Sequence, residues 1–193
     1  MRSKVPSEII MLTLIKLQLL IIAIWILLFI FNGSINNILN HNSYIAIIFI
    51  PAGFKITIAC LLGKRVFWGL FFGTLITALL FLEDAMIRHA LMFALLSAGS
   101  PIFTIWLVNM LTPLGKSLEN LNFQMILIIS VVYSIINSFM HNTYLLISEG
   151  LTVEKYQADS MLMFTGDFLG SLIFLFLLSY YRRGILKIIN KVI

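Results

Sequence analysis

Residues 17–31 read Leu17-Gln-Leu-Leu-Ile-Ile-Ala-Ile-Trp-Ile-Leu-Leu-Phe-Ile-Phe31, part of an apolar run over Ile9–Phe31 in which Lys16 is the one charged side chain. A helix needs about 20 such residues to cross the hydrocarbon core of a bilayer. Five comparable runs follow, over Ser43–Leu62, Val66–Phe81, Ala90–Leu111, Phe123–Ser148 and Met161–Tyr181. Hydrophobic residues make up 61% of the 193-residue chain and charged residues 11%, more apolar surface than a soluble domain of this size can hide. None of the runs alternates with the period of two that barrel strands require. The expected fold is therefore an all-α, polytopic transmembrane bundle of six spans, a single integral membrane domain over residues 1–193.

The basic residues orient it. Arg2, Lys4, Lys64, Arg65, Lys116, Arg182, Arg183, Lys187 and Lys191 fall on one side of such a bundle, against Arg88 and Lys155 on the other, where Glu83, Asp84, Glu149, Glu154 and Asp159 also lie. Positive loops stay inside, so both termini are expected to be cytoplasmic. The net charge of +5 needs no nucleic acid to explain it, because the positive residues sit where insertion wants them. The first run is too long for a signal-peptide core and no small-x-small site follows it, so it reads as a retained span. Cys60 is the chain's one cysteine and frames no disulfide.

The loops between runs are short, and the chain ends about a dozen residues after the last one. The expectation is one bundle without a soluble catalytic or output module. Gly69-x-x-x-Gly73 and Gly166-x-x-x-Gly170 each put two glycines on one helix face, where helices can approach closely. Internal packing is the plainer use for such a face, dimerisation the other. Ser97-Ala-Gly-Ser-Pro101 predicts a kink in the fourth span. Pro51-Ala-Gly53 predicts a break about a third of the way into the second, whose freed backbone groups protein or water must satisfy.

Ionisable groups inside spans are costly, which singles out Lys55, His141 and Asp167. Counting at about 1.5 Å per residue puts His141 and Asp167 roughly 10 Å below the outer boundary, with Lys55 leaning toward the same level. Asn137 shares a helix face with His141. If spans two, five and six are neighbours, Lys55 and Asp167 pair with His141 nearby. That constellation is either a small polar cavity opening outward for a ligand, ion or proton, or a neutralised pair that locks the fold. No metal site is expected, since Cys60 lies in another span and no second histidine stands beside His141. His41 and His89 read as wet surface residues, Lys16 as snorkelling, and Trp25, Trp68 and Trp106 as interfacial or lipid-facing anchors. Nothing resembles a catalytic triad or a nucleotide loop. Neither enzymatic activity nor a cofactor is expected.

Phe49-Ile-Pro-Ala-Gly-Phe54, then Leu61-Leu-Gly-Lys-Arg65, then Trp68-Gly-Leu-Phe-Phe-Gly73, and late in the chain Gly166-Asp-Phe-Leu-Gly170 with Arg182-Arg183 beyond it, resemble the motifs of the membrane-associated sensor domains of the first MASE type. Their order and approximate spacing agree over nearly the whole chain. The resemblance implies a multi-pass input domain of the bacterial inner membrane, usually fused to a kinase, cyclase or phosphodiesterase module. This chain departs from the pattern in carrying no such module, and in lacking a proline over Leu175–Leu178, after its Gly-Asp segment. The expectation is thus a stand-alone sensor-like protein that acts through a partner in trans, another membrane protein or complex, besides the lipid bilayer and whatever small ligand its polar centre takes. Two other readings stand beside it, an inert accessory subunit of a larger membrane complex and a small secondary transporter or channel.

Overall fold

The computed structural model describes residues 7–38, 46–81, 87–111 and 122–192, with side chains over 11–36, 46–81, 87–111 and 122–181. The elements are α1 (Ser7–Ile38), α2 (Pro51–Leu62), a 3-10 turn (Gly63–Val66), α3 (Phe67–Phe81), α4 (Ile87–Leu111), α5 (Phe123–Glu149) and α6 (Val153–Val192), with no strand among the described residues. Arg2, Lys4, His41, Ser43, Glu83, Asp84 and Lys116 lie outside the described residues, as do the side chains of Arg182, Arg183, Lys187 and Lys191.

Local chemistry explains the helix ends. Pro51 is the first residue of α2, where a missing amide costs nothing. Gly63 closes α2 at φ +56°, and its N–H reaches the Ala59 carbonyl. The Asn122 side chain caps α5 by accepting from the Met125 amide at 2.9 Å, and Gly150 ends it in the left-handed region at φ +64°. α4 runs through Pro101 as one helix. The second span departs from expectation. Pro51 does not interrupt a helix but begins one, and residues 46–50 before it are non-helical.

Five segments are long and apolar enough to cross a membrane: Met11–Asn36, Pro51–Phe81, Ile87–Leu111, Phe123–Glu149 and Val153–Tyr181. The six expected spans become five by this measure, because α2 has only 12 residues and joins α3 through the 3-10 turn. Their contacts with α1 nevertheless run in opposite orders. Ile50 meets Asn32, Phe49 and Lys55 meet Trp25, and Arg65 meets Gln18, so the chain descends along α1. Gly69 then meets Gln18, Thr77 meets Trp25 and Phe81 meets Phe29, so α3 climbs back.

α1 packs mainly on α3, α3 on α4, α4 on α5, and α5 on α6. α2 sits against α6 and α4 in the middle, and its residues Pro51–Ala59 are all buried. Both glycine pairs face inward. A Cβ on Gly69 would stand 2.7 Å from Ile21, and one on Gly73 2.8 Å from Trp25. On Gly166 and Gly170 it would strike the backbone carbonyls of Ala46 and Phe49. The first pair admits α1, and the second admits the bare backbone that leads into α2.

Candidate functional site

The non-helical stretch 46–50 has to find partners for its backbone away from a helix or sheet. α1 and α6 supply them. The Ile47 amide donates to Asn36 Oδ1 (3.0 Å), the Ile50 amide to Asn32 Oδ1 (2.9 Å), and Asn36 Nδ2 to the Ile48 carbonyl (3.2 Å). From the other side the Phe49 amide donates to the Gly166 carbonyl at 2.9 Å. This clamp sets Phe49 edge-on to Trp25, with ring centroids 6.2 Å apart, directly above the first turns of α2.

Lys55 follows on α2 and is 2% exposed. Its ammonium donates to Ser97 Oγ on α4 and lies 4.8 Å from the Trp25 ring and 5.5 Å from that of Phe49. Both rings therefore turn a negative π face toward the cation. Trp25 is held in turn by its Nε1, which donates to Thr77 Oγ1 at 3.2 Å. Trp25 is thus a core residue, 1% exposed, and not the lipid-facing anchor expected of it, whereas Trp68 and Trp106 are more than half exposed. A lipid-facing indole would leave its N–H unpaired; here α3 offers a hydroxyl one helix away.

Asp167, 1% exposed, lies on α6 between the two glycines. Its Oδ2 accepts from Asn137 Nδ2 at 2.7 Å, and Asn137 Oδ1 accepts from Ser100 Oγ at 2.7 Å. Lys55 and Asp167 are near enough for each charge to act on the other. They do not form the expected contact pair: among the described residues the one ion pair within 4.0 Å joins His89 and Glu149. The reason is local. Ser97 and two ring faces take the ammonium toward α4 and α1, while Asn137 takes the carboxylate toward α5, so each charge is solvated by neutral groups.

His141 lies one turn beyond Asn137, with its Nδ1 3.0 Å from the Asn137 carbonyl and its ring stacked on Phe93 at 5.8 Å. It touches neither charge directly but lies within the field of Lys55. Asn142, also buried, donates to the Ser138 carbonyl at 2.9 Å and faces Met163 on α6. His89 corrects another expectation. It is only 8% exposed, with its Nδ1 2.9 Å from the Tyr144 hydroxyl and 3.9 Å from Glu149, and Arg88 Nε donates to its Nε2 at 3.3 Å. α4 begins against the end of α5, and that packing covers the ring. Tyr133 is fully buried beside Ser100 and Asp167, and its hydroxyl has no hydrogen-bond partner of good geometry.

The sites expected from sequence therefore assemble in part. Lys55, Asp167, Asn137 and His141 occupy one buried region; Pro51 starts α2; Gly53 lies against Phe174 of α6. Trp25, Phe49, Ser97 and Ser100 complete the region and were not foreseen. One signal pointed to the α1 contribution: Gln18, Trp25, Asn32 and Asn36 form a single stripe, spaced as one face requires, and the other residues of 17–31 are all apolar. No group of three His, Cys, Asp or Glu side chains among the described residues could hold a metal ion.

An all-helical protein with several membrane-length apolar helices and a charged, hydrogen-bonded interior is a multi-pass membrane protein. Residues 17–191 match the model of the MASE1 family, and the chain belongs to that family of membrane-associated sensor domains. No curated protein and no solved structure matches it. Of the residues that carry the family resemblance, Gly166 and Gly170 bring α6 onto 46–50, Pro51 starts α2, and Gly69 and Gly73 bring α1 onto α3.

Proposed function

We propose that this sensor-like membrane protein uses the Lys55–Asp167 region, with Asn137 and His141, as its sensing element, and that it reports to a partner in trans within the bilayer. The observation that carries this reading is the separation of the two buried charges. A structural lock would close the pair, because an uncompensated charge in a low dielectric is costly. Here each charge rests on neutral dipoles from a different helix, so a change at either one alters how α2, α4, α5 and α6 are held together.

In this reading α2 and α3 are two passes, which makes six crossings with both termini in the cytoplasm of a bacterial inner membrane. The polar region then lies toward the outer leaflet. The basic asymmetry of the loops supports that orientation. Sensing is favoured over transport because, on the side toward the start of α1, Thr104, Ser130 and Ser134 offer hydroxyls only, and among the described residues no buried ionisable group continues the region. Toward the end of the bundle where α1 begins, Val66, Leu70, Ile105, Val108, Ile126 and Ile129 close the core with apolar side chains. Transport needs access from both sides. The protein catalyses no reaction in this reading.

Mild extraction from native membranes, followed by identification of co-purifying proteins, tests the proposal when run on wild type, Lys55→Met and Asp167→Asn. A sensing element predicts a partner whose association or activity changes in the variants while the fold persists. A stoichiometric complex indifferent to both variants supports an accessory subunit instead. Solute flux in proteoliposomes that is lost in both variants supports a transporter.

A further inference from the structure

The buried region is joined to one end of the bundle by a file of ionisable and aromatic side chains that fades from exposed to buried. Glu149, with a side chain 47% exposed, stands at the mouth; His89, 11% by the same measure, lies 3.9 Å further in and meets Tyr144 at 2.9 Å. Phe93 comes next, edge-on to the Tyr144 ring at 5.8 Å and stacked on His141 at 5.8 Å. Beyond His141 lie Asn137 and the Asp167 carboxylate. Polar contacts join Glu149, His89 and Tyr144 on the outer side of the Phe93 ring. On the inner side His141 bonds the backbone of Phe93 and Asn137, and the Asn137 side-chain amide reaches Asp167, so the Phe93 ring separates the two sets.

We propose that Asp167 is a proton-binding site filled from the Glu149 end of the bundle through His89 and Tyr144, with Phe93 as the gate. This rests on the reading of the region as the sensing element and names the ligand it takes. When Phe93 leaves His141, a hydronium ion of the outer water gives its proton to the Asp167 carboxylate, leaving a carboxylic acid and one water molecule. His89 and His141 return to their starting charge. The last transfer, from His141 to Asp167, runs over the water that Phe93 admits beside the Asn137 side chain, because the Asn137 backbone carbonyl that His141 meets cannot carry a proton. The region then holds the Lys55 ammonium without its counter-charge, and the attraction between α2 and α6 falls.

The charged and titratable neighbours are few. Lys55 on α2 and Tyr133 on α5 act on Asp167, and His141 on α5 lies within the field of Lys55. Arg88 on α4 and Tyr144 and Glu149 on α5 face His89. Among the described side chains, α3 has no ionisable group, and the one on α1, Lys16, lies at the opposite end. A proton needs no cavity, which suits a region whose members are almost wholly buried.

Infrared difference spectra of the full chain in lipid nanodiscs, taken from about pH 8 to about pH 4, give the test. The expected result is a carboxylic-acid carbonyl band that shifts when aspartate is carbon-13 labelled, persists in Asp159→Asn and is absent from Asp167→Asn. After a pH jump the band should form at least roughly tenfold more slowly in His89→Phe, and faster than wild type in Phe93→Ala. The labelled wild type keeps the test valid if Asp167→Asn does not fold. No labelled aspartate band across the range overturns the proposal, as does a band whose rate ignores both His89→Phe and Phe93→Ala. A band that behaves as expected while partner association ignores Asp167 keeps the proton site and removes the sensing role. Association that depends on Asp167 without any such band keeps the role and removes the proton.

Discussion

α1 and α2 are built from the same apolar residue types and use them oppositely. α1 is 32 residues long, yet only 11% of its most apolar window is buried in protein. α2 is 12 residues long and has nine consecutive residues buried. In water the more apolar helix would be the one inside. In a bilayer lipid covers apolar surface as well as protein does, so burial follows where polar groups and close backbone approach demand protein. α2 carries Lys55 and enters through a bare backbone segment, and both features need neighbours.

This contrast predicts a ranking of mutational effects. The largest belong to the charges. Lys55→Met and Asp167→Asn should each cost about 3–5 kcal/mol of stability, read as denaturation of the purified protein in detergent, because each leaves the other charge buried alone. Since the two are held by Ser97 and Asn137 and not by contact with each other, the double variant should recover part of the loss and not all of it. Strict additivity would show that the charges do not act on each other, and α2 would then owe its central place to packing alone.

Next is Ile56→Ala in the middle of α2, at a side chain with no exposure. The transfer term that dominates such changes in water is weak in lipid, but the cavity remains. A loss of roughly 1–3 kcal/mol is expected in the same assay.

The glycines sharpen the comparison between the contacts that hold α2 and α1. Gly170→Ala sets a methyl group against the Phe49 backbone carbonyl, which cannot step aside without moving the whole 46–50 clamp. Gly73→Ala meets the Trp25 side chain at 2.8 Å, a milder clash than the closer approach to the Phe49 carbonyl, and a small shift of α1 relieves it. Both overpack, by about 1–3 kcal/mol, with Gly170→Ala the worse. Gly99→Ala meets nothing within 4 Å and sits inside α4, so it should be neutral or gain up to about 1 kcal/mol from helix propensity. Equal losses at Gly170 and Gly73 would mean that the clamp yields as easily as α1 does.

The same physics decided what could be read in advance. Apolar length located the helices, and small residues four apart located close faces, because both are properties of one helix. That α2 and α6 are neighbours was readable only as a condition, from Lys55 and Asp167 lying at one depth. The burial of Trp25 was not, since an indole in an all-round apolar helix is as compatible with lipid as with protein until its partner Thr77 is known. His89 was misread for a related reason: adjacency to Arg88 signals water, and only the packing of α4 on α5 covers it. Residues 46–50 look helical by hydropathy, and their non-helical form depends on Asn32, Asn36 and Gly166, which are distant in sequence.

The smallest effect should be at Leu27 on α1, which is 68% exposed. Leu27→Ala removes a side chain whose neighbours are lipid in the folded protein and would be lipid again if α1 separated from α3 within the membrane. No cavity forms, because acyl chains fill the space, and the change in packing against Gly69 and Gly73 is nil, since that contact is made by Gln18, Ile21 and Trp25 on the other face. The loss in hydrophobicity is a few tenths of a kcal/mol for one residue at the centre of a span, too little to prevent insertion of a helix this apolar. Stability should therefore change by less than about 0.5 kcal/mol. A loss at Leu27 as large as that at Ile56 would show that a protein surface, and not lipid, covers this face of α1, and it would place the partner there.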